Sequence, residues 1–379
     1  MATGRRKVAR WFRLFLRSWF DAFSPRDLVS IWDPAFSYPG RKRSGGRIAM
    51  PGIPLRPCGK LPGETVPSAL LREDVPRFFA TLLELDEASC FGPPVMLFDR
   101  AGNLLLENSL EWGRSPENYW PYRRFFFPKR IFLKGRSLLL ASTGGETFYH
   151  FMCDVLPKLH VLEAQGRKAK DFDHIILNTL EKPFVRDLVG MFQLKEERLR
   201  ALDQGHGYRM EKLIAPSPVS ILGSPHRAIA SFFRKHLPRS VQTAGKKRRL
   251  WISRRNAKER VVFREEKLHG FLRRHGFCIC ELENLPIAEQ MALFSDASLI
   301  VAPHGAGLTN LLFTRPNTLV LEMFPFGYIN QCYRVLASTM KSRYFCLQEN
   351  QDRSGRDPRY LYLSHERIRR AIGYLISKE

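Results

Sequence analysis

Three short stretches of the 379-residue sequence place reactive side chains where they could act on a charged ligand. The first is Val301-Ala-Pro-His-Gly-Ala-Gly-Leu-Thr-Asn310. An apolar run ends in His304, followed by Gly305, Ala306 and Gly307, and Leu308-Thr309-Asn310 then reads as the opening of a helix. Glycines give the backbone left-handed freedom and room for close approach. The unsatisfied N–H groups and positive end of a helix start favour an anion, most often phosphate. The plainer reading is a tight strand-to-helix turn with His304 hydrogen-bonded inside the fold.

The second stretch, Trp251–Arg260, sets Ser253, Arg254 and Arg255 just past an apolar run, with Arg260 further on. Arginine at a strand end can make forked hydrogen bonds to a diphosphate and offset charge building on a leaving group. A solvated basic loop competes with that reading. Glu265 and Glu266 follow and would either orient the arginines or favour a helix start. Glu322, after the apolar run Asn317–Leu321, sits where a carboxylate could accept hydrogen bonds from the two hydroxyls of a ribose; an exposed strand-end carboxylate is the plainer alternative.

The third stretch, Thr147–Leu159, carries Tyr149, His150 and Asp154. His150 and Asp154 are four residues apart and therefore neighbours on a helix face. Either could take a proton from an incoming hydroxyl. They could equally hold a metal with a third ligand from elsewhere, or His150 could be a satisfied core residue. Pro157 in the same helix removes a backbone hydrogen bond and predicts a kink.

The elements that must position these groups alternate. Residues 136–142, 172–178 and 211–218 read as buried strands with helical patterns between them. After the basic break at 245–249, strands and helices alternate more regularly to residue 325, and residues 363–377 form an amphipathic helix. Strand–helix alternation predicts parallel sheets with crossover helices, and ligands then sit at the carboxyl ends of the strands. Residues 94–110 read as a β-hairpin turning at 99–102. The expected divisions are 1–48, 49–225, 226–350 and 351–379, the last packing back on the first domain.

Lys and Arg number 61 against 37 Asp and Glu, a net charge of +24. This excess points to a polyanionic partner without choosing among nucleic acid, anionic lipid and phosphorylated substrates. The seven cysteines form no paired framework, which fits a reducing compartment. Cys278-Ile-Cys280 lies near His269 and His275, where a metal site is conceivable, but a buried strand with two small apolar residues on one face is the simpler reading. No apolar run is long enough to span a bilayer. In residues 5–23, Val8, Trp11, Phe12, Phe15, Trp19 and Phe23 recur at helical spacing opposite Arg6, Arg10, Arg13 and Arg17. That basic amphipathic helix suits an anionic membrane surface, or it docks on the protein itself. Residues 37–47 read as a linker.

Taken together, residues 146–159, 251–260 and 295–322 resemble glycosyltransferase family 61. Two positions depart from the family's pattern: Arg264-Glu265 stands where Asn-Glu is usual, and Phe151-Met152 where Trp often follows the Tyr-His pair. The resemblance implies an α/β, GT-B-like architecture of two Rossmann-like domains facing across a cleft. It implies a nucleotide-sugar donor, usually a UDP-sugar, inversion at the anomeric carbon, and no obligatory metal or other cofactor. On it, Ser253, Arg254, Arg260 and the turn His304–Asn310 (Gly305, Ala306, Gly307 and Thr309 included) would hold the donor diphosphate. Glu322 would hold the ribose, Tyr149, His150 and Asp154 would face the acceptor, and His150, Asp154 and Arg254 would carry the catalysis. The expected role is surface-polysaccharide synthesis by a cytoplasmic protein peripheral on the inner membrane, acting on a glycan or lipid-linked acceptor. A nucleic-acid-binding protein and an inactive scaffold are the competing readings; no zinc-finger, helix-turn-helix or RNP-type motif supports the first.

Overall fold

A computed structural model describes residues 28–29, 48–71, 73–123, 127–202, 205–221, 224–237, 247–350 and 355–379. The basic segment 5–23 and the linker 37–47 lie outside the described residues. The chain divides into two compact units, one of residues 1–49 and 79–219, the other of residues 50–78 and 220–379.

The first unit is built on eight strands: β1 (Leu28–Val29), β2 (Leu82–Phe91), β3 (Met96–Phe98), β4 (Leu104–Leu105), β5 (Lys129–Leu139), β6 (His174–Leu177), β7 (Leu199–Ala201) and β8 (His206–Pro216). They lie side by side in the order β1-β4-β3-β2-β8-β5-β6-β7. The half from β8 to β7 is parallel, as the alternating pattern predicts. The half from β4 to β8 is antiparallel, so the first domain is not a purely parallel, Rossmann-like sheet. Strands joined by a turn as short as 99–103 can pair only antiparallel; Gly102, at φ 88°, closes it by donating its N–H to the Asp99 carbonyl. The core beneath this sheet includes Leu83, Leu85, Leu133, Leu139, Ile176, Met210 and Leu213, all nearly solvent-free.

Between β5 and β6 the chain forms helix α1 (Phe148–His150), a single wider π-helical turn (Phe151–Val155), and α2 (Lys158–Glu163). Pro157 has no N–H to donate. The bonding shifts ahead of it, and Leu156 N–H reaches five residues back to the Phe151 carbonyl. The expected kink is thus taken up as a widened turn that contains Asp154. Helix α3 (Pro183–Met191) follows β6.

The second unit is a five-stranded parallel sheet: β9 (Arg248–Ile252), β10 (Phe277–Cys280), β11 (Ala297–Pro303), β12 (Leu319–Phe324) and β13 (Arg343–Gln348), ordered β10-β9-β11-β12-β13. Its helices are α4 (Ala228–His236), α5 (Glu266–Arg274), α6 (Ile287–Ser295), α7 (Cys332–Thr339) and α8 (His365–Ile376), with a 3-10 helix at Ala306–Phe313. β11 and β12 are buried on both faces, which is why they read as unbroken apolar runs. The strand order reverses at β9, so the crevice between the carboxyl ends of β9 and β11 is where such a sheet takes a ligand.

Two expected boundaries are corrected. Residues 50–78 belong to the second unit: Leu61 enters its core, Gly59 donates its N–H to the Tyr344 carbonyl, and Ile53, Leu55 and Val75 pack on Val335. Helix α8 also packs into this core, where Ile368, Ile372 and Leu375 meet Leu268, Leu299 and Leu321. Its apolar stripe is satisfied there and not on the first domain.

Candidate functional site

At the β9 and β11 ends, two segments far apart in sequence come together. Gly305 is extended (φ 174°), so its conformation does not require glycine. Space does: a Cβ at 305 would lie 1.9 Å from Arg254 Nη1. The glycine therefore makes room for the guanidinium. Arg254 Nη2 donates to the Glu259 carbonyl at 3.1 Å, and burial, then the neighbouring Arg260, hold its pKa below the ordinary arginine value. Two clustered cations disfavour each other and gain from an anion placed between them. Arg260 adopts φ 58°, stands 5.7 Å from the ring centroid of Tyr328, and leaves its buried Nε without a hydrogen-bond partner.

His304 closes the turn. Its Nδ1 is bound to Glu322 Oε1, its Nε2 lies 3.4 Å from the Tyr328 hydroxyl, and its ring stacks on Phe324 at 5.2 Å. Glu322 is fully buried, and its second oxygen accepts from Tyr344 Oη at 2.5 Å. Burial and the Glu322 charge push the Tyr344 pKa well up, so this hydroxyl remains a donor. The expected ribose role of Glu322 is therefore corrected: both oxygens are occupied and neither reaches solvent. The carboxylate anchors His304 from behind.

Three other expected donor ligands also turn inward. Ser253 is buried, and its Oγ accepts the Arg255 N–H at 3.3 Å. Asn310 is fully buried and donates to Gln290 Oε1 at 2.9 Å and to the Gly307 carbonyl at 3.1 Å. Thr309 is equally buried, with its hydroxyl unpartnered. These side chains brace the turn, and the groups left at its surface are Arg254, Arg260, Ala306 and Gly307. The helix expected to open at Leu308 starts earlier, at Ala306, and is 3-10. Glu265 is buried, with Oε1 3.4 Å from His269 Nε2, and does not orient the arginines.

In the first unit, His150 Nδ1 lies 2.6 Å from Asp154 Oδ2, so the i,i+4 spacing survives the π-helical turn. Their side chains are 24% and 14% exposed, against 7% and 0% for His304 and Glu322. Trp112 lies over the His150 ring at 4.8 Å, and the Tyr149 ring stands edge-on at 5.0 Å. Gly144 (φ 76°) makes this possible, since a Cβ there would lie 2.3 Å from the indole and 2.8 Å from His150 Cδ2. Asp154 is fixed through its backbone as well: Ser142 Oγ donates to the Asp154 carbonyl at 3.1 Å. Among the described residues, no three or more His, Cys, Asp or Glu side chains gather as a metal site would require.

Sequence reasoning missed Trp112, Lys158, Tyr328 and Tyr344. Tyr328 was legible, because it follows β12 at the same sheet edge. Lys158 was not: at the end of the Asp154 turn it reads as a solvated helix residue, yet it is 2% exposed.

The arginine pair at a sheet switch point suits an anionic leaving group, the half-open His–Asp pair suits proton transfer from a hydroxyl, and comparison with known proteins points to the glycosyltransferases. Residues 148–321 match the family described as Glycosyltransferase 61, in agreement with the sequence resemblance. The EGF domain-specific O-linked N-acetylglucosamine transferase of Drosophila melanogaster is 29% identical over 121 residues, which cover 31% of this chain and 23% of that protein. The chain therefore spans less than a quarter of that relative's length.

Proposed function

We propose that the protein is an inverting glycosyltransferase that moves a sugar from a nucleotide donor, UDP-linked, to a hydroxyl of a glycan or lipid-linked acceptor. The observation that carries this reading is Arg254 packed against Gly305 beside Arg260, at the switch point of a parallel sheet. In the mechanism, His150, oriented through Nδ1 by Asp154, takes the acceptor's proton on Nε2. The acceptor oxygen forms its bond to the anomeric carbon as the bond to the donor diphosphate breaks, and UDP leaves with the electron pair. Arg254, Arg260 and the 306–307 backbone meet the charge on the departing oxygens. With guanidiniums in that place, no metal is required. On this reading the second unit takes the donor and the first offers the base.

The deciding experiment measures UDP and RNA binding, followed by turnover. Thermal protection by UDP and transfer from a UDP-sugar that persists in EDTA support the reading; the relative's name makes UDP-N-acetylglucosamine the first donor to try. RNA binding without UDP protection would instead make this a nucleic-acid-binding protein. UDP binding without hydrolysis or transfer would make it a scaffold.

The basic amphipathic pattern of residues 5–23 supports attachment to an anionic membrane surface, on the cytoplasmic face of the inner membrane, in surface-polysaccharide synthesis. Removing residues 1–24 then abolishes pelleting with anionic vesicles; unchanged pelleting overturns the attachment. Among the described residues no helix is long and apolar enough to cross a membrane.

A further inference from the structure

His150, Asp154 and Lys158 recur every four residues along one helical segment. Lys158 lies at the inner end of the series. It is 2% exposed, and its Nζ donates to the Ala141 carbonyl at 2.7 Å, just past the end of β5. The same strand end binds the Asp154 backbone through Ser142, so one short stretch of chain holds both the carboxylate's turn and the ammonium. A buried ammonium with a single carbonyl partner is costly without an anion nearby. The ionisable groups facing it are Asp154, on its own segment, and Cys90, on β2. Burial pushes the Cys90 thiol up to about 12, which leaves it neutral. Asp154 is therefore the counter-charge. A leucine or methionine would fill the same volume without that cost.

We propose that Lys158 is the positioning residue of the His150–Asp154 pair: its ammonium balances the Asp154 carboxylate from the buried side. The carboxylate then orients His150 through Nδ1–H while Nε2 stays unprotonated and able to accept a proton. Burial holds the Lys158 pKa down at about 7, against the opposing pull of Asp154. This inference rests on the reading of His150 as the base.

The test follows the His150 ring by NMR through a pH titration of the full chain, with the resonance assigned by its loss in His150→Gln. In Lys158→Met the carboxylate has lost its inner cation. The His150 midpoint rises by about one pH unit, and the acid limb of kcat/KM moves with it, about tenfold in rate on that limb. Lys158→Arg restores both. A folded Lys158→Met with an unmoved midpoint overturns the proposal. Should that variant fail to fold, the wild-type protein decides. Its His150 curve carries a second step at the midpoint of the Lys158 ammonium, read from lysine Nζ-coupled resonances; a single-step curve overturns the proposal. The NMR readout does not depend on catalysis. A shifted midpoint together with full activity of His150→Ala would remove the base assignment and leave the Lys158 linkage standing.

Discussion

The molecule contains the same pair twice, a histidine joined through Nδ1 to a carboxylate, and uses it in opposite ways. In the first unit, His150–Asp154 is partly open, lies under an exposed indole, and keeps Nε2 for a partner. In the second, His304–Glu322 is sealed by Phe324, Tyr333 and Tyr344. Chemistry of the side chains does not separate these pairs; solvent access and the carboxylate's second oxygen do. A carboxylate with both oxygens engaged in the core fixes a backbone turn. One that leaves the far nitrogen of its histidine accessible supports proton transfer.

The comparison breaks most sharply at His150. His150→Ala should lower kcat/KM by about a thousandfold while the melting temperature stays within a degree or two of wild type. Activity within tenfold would mean that the open pair is not the base. Glu322→Ala should show the reverse pattern: loss of about 3 kcal/mol of stability in denaturant unfolding, because it leaves His304 and Tyr344 buried without their shared acceptor. Unaltered stability would show the second pair to be dispensable.

Gly305→Ala sharpens the comparison further, since its methyl group must displace Arg254. UDP affinity should fall by roughly tenfold, about 1.4 kcal/mol, in calorimetry with little change in folding; unchanged affinity would detach the guanidinium from the donor site. The smallest effect lies in pH. The lysine at 158 has a folded-state pKa lowered from 10.5 to about 7, so between those values the unfolded chain binds more protons and stability rises with pH. Wild type should gain about 1 kcal/mol relative to Lys158→Met between pH 7 and 8, and the difference should level off below pH 6. Parallel stability curves would show Lys158 to be protonated throughout.

Much of the second unit was legible in the sequence because its strands are buried on both faces and announce themselves as apolar runs between amphipathic helices. The first unit was less so. Its antiparallel half is made of strands as short as Leu104–Leu105, too brief to display a period. Within the candidate site, Arg254 and His304 were singled out by their place after a strand, and His150 and Asp154 by their spacing. What could not be read was direction. Glu322 and Asn310 carry polar labels that suit a ligand, yet their neighbours Tyr344 and Gln290, distant in sequence, turn them into the core. Glycine carried a similar ambiguity: the Gly305 gap is occupied by the protein's own arginine.

Trp112 gives the first unit an optical reporter of its own. An indole 4.8 Å from an imidazole is quenched by electron transfer when that imidazole becomes cationic. Among the described residues, Trp112 is the tryptophan whose ring lies against His150. The emission that Trp112→Phe removes should therefore brighten as the ring loses its proton, giving a fluorometric record of the imidazole's charge state in microgram amounts of unlabelled protein.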